Sequence, residues 1–179
     1  SAVLHAVYFY FLGKSYKGGH LSLTYPVARS STLFVPFIAV LFIGEKVSPL
    51  GILGILVILL GIYLLHMRSF HLKSIFGLMK YIKEKATVFA LMTALVAAFF
   101  SVNDKVGVGI VPPFLFIYIM VSLTAIFYLP VVLYNGNLIE IRKEWGFNKI
   151  SILISSIFVI LSYLLTLYAF RFVKVSYVV

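Results

Sequence analysis

Long uncharged apolar runs alternate along the chain with short stretches that carry nearly all of its charge. About 20 uncharged residues span the hydrocarbon core of a bilayer as a helix, so each run predicts one crossing. Residues 1–13 form the first run. It has neither a basic flank nor a small-residue cleavage site, which argues against a signal peptide. A second run extends from about 20 to 44 and is interrupted only by Arg29. A third covers 47–65, and its Ser48-Pro49 start combines a helix cap with proline at the first helical position. Residues 67–85 hold Arg68, Lys73, Lys80, Lys83 and Lys85 and read as a basic linker. Ile75, Leu78, Met79 and Ile82 lie at helical spacing within it, as in a segment lying flat on the interface.

The fourth predicted helix is 86–103, closed by Asp104-Lys105. Pro112-Pro113 divides the next uncharged run and sets a fifth helix at 113–134. Residues 135–149 are polar and read as a loop, with Trp145 as an interfacial anchor. The sixth helix is 150–170, and VKVSYVV then begins a further element. The expected fold is therefore all-α, a polytopic membrane bundle of six helices plus the start of a seventh. Small residues form stripes at helical spacing: Gly51, Gly54 and Gly61 on the third helix, Ala90, Ala94, Ala97 and Ser101 on the fourth, Ser155, Ser162 and Thr166 on the sixth. Such stripes let helices pack closely in lipid or line a cavity. Asp104 continues the stripe of the fourth helix.

Composition narrows the class. Hydrophobic residues make up 63% of the 179 and charged residues 11%, against roughly 45–50% and 25% in soluble domains. A soluble domain of this length could not cover that much apolar surface. The net charge of +10 is spread over the inter-helix stretches, where basic residues meet lipid headgroups, so a nucleic-acid partner is not expected. The chain has no cysteine, which excludes thiol catalysis and Cys-based metal sites. No HExxH, GxSxG or phosphate-binding glycine loop occurs. Neither a catalytic site, a metal nor a cofactor is expected.

An internal repeat is visible at an offset of 152 residues: LSLTYPV at 21–27 resembles VKVSYVV at 173–179, Tyr25 falling on Tyr177 and Tyr16 on Tyr168. Internal repeats are a standard construction in transporters. The stretch from Tyr25 to Leu65, with Tyr25-Pro26, Arg29, Pro36, Gly44-Glu45, Gly54 and Gly61, resembles the fourth and fifth helices of an EamA-type repeat of the drug/metabolite transporter superfamily. Residues 90–105 resemble the opening helix of the second repeat, and 162–179 its third helix running into the fourth. The resemblance implies a ten-helix transporter of two inverted five-helix repeats, with the end of the first at 1–66, the linker at 67–85 and the start of the second at 86–179. Under that frame the chain is a fragment, with roughly 67 residues expected before Ser1 and roughly 39 after Val179.

The resemblance also implies a function, secondary transport of small organic metabolites or drugs by alternating access in a cell membrane. The partners would be the lipid bilayer and a small-molecule substrate. A membrane-embedded enzyme and a non-transporting accessory subunit are the alternatives. Candidates for the cavity or gate are Tyr25, Arg29, Asp104 and Tyr177. Arg29 either faces an aqueous cavity or snorkels to the headgroups. Asp104 sits at a predicted helix end, which favours a solvated or structural role over one in handling substrate or protons. Glu45, Pro36, Gly54 and Gly61 read as structural positions, and His5 as a satisfied buried histidine rather than a proton relay. Tyr8, Tyr10, Tyr163 and Tyr168 offer aromatic surface with hydroxyl groups.

Orientation is ambiguous. Lys14, Lys17, the linker bases, Arg142, Lys143 and Lys149 fall on one side, and Lys46, Lys105, Arg171 and Lys174 on the other. The positive-inside rule places the linker in the cytoplasm, whereas the usual topology of the resembled family places it outside.

Overall fold

A computed structural model describes residues 1–18, 21–66, 85–135 and 138–179. These form eight helices and, among the described residues, no strand: α1 (Ala2–Gly18), α2 (Leu21–Ala28), α3 (Ser31–Ile43), α4 (Pro49–His66), α5 (Lys85–Ile110), α6 (Pro113–Asn135), α7 (Leu138–Phe172) and α8 (Val175–Val178). Nearly all of the basic linker expected at 67–85 lies outside the described residues; Lys85 opens α5.

Four segments are long and apolar enough to cross a membrane: Thr24–Ile43, Lys85–Ile110, Pro113–Tyr134 and Leu138–Phe172. Large side chains on the outer faces of α4, α6 and α7, such as Leu53, Tyr118, Ile157 and Phe158, are exposed. Surface this apolar suits lipid or further helices, not water. The chain thus has the make-up of a multi-pass membrane helix bundle.

The second predicted run is two helices rather than one. Ser30 explains the break: its hydroxyl donates to the Val27 carbonyl at 2.6 Å and its own N–H goes to the same carbonyl at 3.1 Å. A serine that competes for backbone acceptors disrupts the regular ladder. Gly44 ends α3 in the left-handed region (φ 65°), and the Glu45 N–H returns to the Ala39 carbonyl at 3.3 Å. The predicted start of α4 is found as expected: the Ser48 hydroxyl accepts the Gly51 N–H at 3.1 Å.

Two further expectations, both about helix bounds, are corrected. The polar stretch 135–149 is not a loop, because its residues from Leu138 onward are the first part of α7, bent at Asn148 (φ −117°, ψ 16°). Asn148 is held there by donating to Glu144 at 2.8 Å. The fourth predicted helix does not stop at 103. It continues to Ile110 in spite of Gly107 and Gly109: Lys105 finds carbonyl acceptors at the end of α7, and no proline intervenes before Pro112.

The core lies along α5. Ala90, Ala94, Ala97, Ser101 and Asp104 are all buried, so the stripe faces the bundle. α1 runs antiparallel to it: Ser1 meets Asp104, His5 stacks on Phe100 at 4.0 Å, and Phe11 lies 6.0 Å from Phe89. Val35, Ile38 and Ala39 of α3 pack with Ala98, Val102 and Val108 of α5, Ile117 and Met120 of α6, and Leu167 and Phe170 of α7. The stripe on the sixth predicted helix does not face this core. Ser155 and Ser162 are exposed, while Tyr163, Leu167 and Phe170 carry the inner face. On α4, Gly51 packs on Tyr177, but a Cβ at Gly54 or Gly61 would meet open space among the described residues.

Candidate functional site

Asp104 is the deepest charged residue described, with 0% exposure. It is not at a solvated helix end, because six further residues of α5 follow it, about 9 Å along the axis. A carboxylate in such a position needs partners, since an unpaired buried charge is strongly unfavourable. Three side chains supply them. The Ser1 hydroxyl donates to Oδ1 and the Tyr163 hydroxyl donates to Oδ2. His5 places Nε2 at 3.8 Å from Oδ2 and 3.2 Å from the Tyr163 oxygen. Its other nitrogen, Nδ1, lies 3.2 Å from the Ser1 carbonyl oxygen and 3.3 Å from the Ser1 hydroxyl. Phe100 stacked on one side and Tyr163 edge-on at 5.7 Å fix the imidazole plane.

The elements explain why these residues meet. Ser1 immediately precedes α1, its carbonyl accepting the His5 N–H at 3.0 Å, so that the two side chains, four apart, project on one face. Asp104 follows Ser101 by three on the buried face of α5, and Tyr163 precedes Leu167 by four on the inner face of α7. Beside the cluster, α1, α3 and α5 enclose a groove of about 410 Å³, lined mainly by apolar side chains such as Leu4, Ile38, Phe42 and Phe99, with Ser1 and Asn103 as its polar members. Ser1 therefore touches both the groove and the carboxylate.

The four cavity or gate candidates do not share one site. Asp104 is in the interior cluster. Arg29 is exposed at the α2–α3 break, its guanidinium 5.5 Å over the ring of Tyr25, also exposed, and its charge also acts on the phenols of Tyr8 and Tyr16. Tyr177 is at the rim, where its hydroxyl donates to the Ser48 hydroxyl at 2.9 Å and accepts the Ser48 N–H at 3.0 Å.

That rim is a second polar region. Glu45 reaches from the α3–α4 turn to the start of α8, accepting the Val175 N–H at 2.8 Å and the Ser176 hydroxyl at 2.7 Å. Lys174 donates to the Lys46 carbonyl at 2.7 Å. Lys105 of α5 donates to the Phe170 and Val173 carbonyls at the end of α7, and Arg171 of α7 donates to the Val108 carbonyl near the end of α5 at 3.0 Å. Lys46, Lys105, Arg171 and Lys174, assigned by sequence to one side, thus gather at one end of the bundle. Pro36 is buried within α3.

Sequence reasoning reads His5 as a satisfied buried histidine and Tyr163 as aromatic surface with a hydroxyl group, without linking either to Asp104. The periodicity that puts Asp104 on the Ala90–Ser101 face was the signal for its burial, but no spacing rule links α1 to α7. Among the described residues no three His, Asp or Glu side chains converge as a metal site. The chain matches no protein-family model, no curated protein and no solved structure.

Proposed function

We propose that the chain is part of a secondary transporter of small organic metabolites or drugs, working by alternating access between two inverted repeats. The observation that carries this reading is directional. The 152-residue offset that sets 21–27 against 173–179 carries α1 onto the end of α7, Tyr16 falling on Tyr168, and these two segments run in opposite senses through the bundle. α1 leaves the Asp104 level towards Ala86, which Gly18 approaches, whereas α7 climbs from Tyr163 beside Asp104 to Arg171 beside Val108. Opposed copies of one segment are the signature of inverted-repeat transporters. The broken α2–α3 element, with Arg29 at the break, is a further feature such proteins use at their sites. This supports the ten-helix frame implied by the EamA resemblance.

The enzyme alternative receives less support from the same geometry. A hydrolytic triad needs the serine hydroxyl to give its hydrogen to the imidazole, whereas Ser1 gives it directly to Asp104, although His5 Nδ1 lies only 3.3 Å from that hydroxyl.

Alternating access makes the rim a gate, because Glu45 and Lys46 of the first repeat are tied there to Lys174 and Ser176 of the second. The test uses the intact protein in vesicles offered a panel of labelled amino acids, sugars, nucleosides and organic cations. At least one solute should enter faster than into protein-free vesicles. Lys46→Cys with Ser176→Cys, joined by a short cleavable thiol cross-linker, should bring that flux to background, and cleavage should restore it. Flux that continues through the cross-linked protein, or a panel that moves no faster than through bare lipid, overturns the reading.

A further inference from the structure

We propose that Ser1, His5, Asp104 and Tyr163 form one exchangeable proton-binding site, in which the Tyr163 hydroxyl passes a single proton between His5 and Asp104. Five polar contacts hold the cluster: Ser1 Oγ to Asp104 Oδ1, Tyr163 to Asp104 Oδ2, His5 Nε2 to the Tyr163 oxygen, and His5 Nδ1 to the Ser1 carbonyl and hydroxyl. With Asp104 ionised and His5 neutral, three hydrogens are available, on Ser1, on Tyr163 and on one imidazole nitrogen. If that hydrogen is on Nδ1 it serves the Ser1 carbonyl, and Nε2 then faces the Tyr163 oxygen while the only tyrosine hydrogen is given to Asp104. If it is on Nε2, Nδ1 presents a lone pair to the Ser1 carbonyl at 3.2 Å. Ser1 can relieve neither case without abandoning Asp104. One lone pair therefore always lacks a hydrogen in a buried site, which is unfavourable.

A fourth hydrogen removes the conflict in two equivalent ways. In the first, His5 is protonated: Nδ1–H donates to the Ser1 carbonyl, Nε2–H to the Tyr163 oxygen, and Tyr163 O–H to the Asp104 carboxylate. In the second, the Nε2 proton has moved to the Tyr163 oxygen as the tyrosine proton moved to Oδ2. Asp104 is then a neutral acid donating to Tyr163, and Tyr163 donates to the Nε2 lone pair. No atom moves other than hydrogens, charge is conserved, and the Asp104–His5 pair is neutral overall in both forms. Neutrality is what a charge inside a spanning bundle requires.

The groups facing Asp104 are few. α1 contributes His5 and Tyr8 beside Phe100, and α7 contributes Tyr163. α3 has no titratable residue, Lys105 turns away to the carbonyls of α7, and Tyr177 of α8 is engaged with Ser48. Arg29 at the α2–α3 break acts on Tyr8 and Tyr16, and Tyr128 of α6 packs on Phe9. Exchange with the outside runs through Ser1, which lines the groove. Use of the site for coupling rests on the transport reading; binding of the proton rests on the geometry alone.

Infrared difference spectroscopy of the intact protein in lipid, titrated with acid, tests the site. The carbonyl stretch of a protonated carboxyl group and the imidazole ring bands should change together at one apparent midpoint. Asp104→Asn should lose the carboxyl band. Tyr163→Phe, which keeps both titrating groups and loses only the bridge, should split the single midpoint into two, about one pH unit or more apart. A carboxyl band that survives Asp104→Asn, no such band in the unaltered protein, or a single midpoint retained in Tyr163→Phe overturns the proposal. If the infrared signature is present while no solute moves in vesicles, the site stands and the transport reading fails. If a solute moves but the signature is missing, the reverse holds.

Discussion

Asp104 and the rim hold most of the polar side-chain contacts made between the helices, and they handle charge in opposite ways. At the rim, Glu45, Lys105, Arg171 and Lys174 all end on backbone groups. Helix ends leave their first N–H and last C=O groups unpaired, and near a bilayer these need partners. Lys105 and Arg171 serve reciprocally, each closing the last turn of the other's helix, where a cation also suits the helix dipole. Lys174 holds the α3–α4 turn through the Lys46 carbonyl, and the other three charges follow from the helix ends. Asp104 has no such reason: the backbone around it is in mid-helix, and its partners are side chains from two other helices. A charge that the backbone does not demand is the better candidate for function.

This contrast predicts its largest effect at Asp104. Asp104→Ala leaves His5, Tyr163 and the Ser1 hydroxyl without their common acceptor inside the bundle. Removing one partner of a buried charged network costs about 3 kcal/mol or more. Thermal unfolding of the solubilised protein should show a clear drop for Asp104→Ala. An unfolding temperature equal to that of the unaltered protein would show that the cluster is solvated like the rim, and the contrast would collapse.

Glu45 should come next. Glu45→Ala strips the start of α8 of the acceptor for Val175 and Ser176, the loss of a helix cap, which costs about 1 kcal/mol. Because the damage is local, the measurement is hydrogen exchange at Val175 and Ser176, expected to be about fivefold faster with exchange along α5 unchanged. Equal acceleration along α5 would mean that rim and interior are one cooperative network.

How much of this was legible in the sequence follows the same division. Helix positions were readable where charge or proline marks an end: α4 starts at Ser48-Pro49 and α6 at Pro113 as the residues indicate. The reading failed where a charge sits inside a helix. Asp104-Lys105 looked like a terminus because charged pairs usually sit there, yet α5 continues, Asp104 finding partners in α1 and α7 and Lys105 finding carbonyls of α7. The bases at 142–149 likewise suggested a loop, but exposed charged residues tolerate a helix that is bent once at Asn148. The buried side of α5 was visible as a period of small residues. The meeting of His5, Asp104 and Tyr163 was not, since it depends on packing between helices far apart in the chain, which no local period encodes.

The finest comparison removes the same atom from each region. Tyr163→Phe and Tyr177→Phe each delete one hydroxyl that both gives and accepts a hydrogen bond. At Tyr177, which is 45% exposed, water replaces the lost partner, and the Ser48 hydroxyl still accepts the Gly51 N–H, so α4 keeps its cap. The ring also remains packed over Gly51. Tyr177→Phe should therefore leave the unfolding temperature unchanged within error. At Tyr163 no water stands in, and Asp104 Oδ2 loses its donor while His5 Nε2 loses its neighbour. A buried acceptor left unsatisfied costs about 1–3 kcal/mol, so Tyr163→Phe should lower the unfolding temperature visibly. Equal shifts for the two substitutions would place both hydroxyls in the same environment. Unequal shifts in the predicted order would locate the hydrogen-bonded interior of the protein at α1, α5 and α7, independently of any assay of transport.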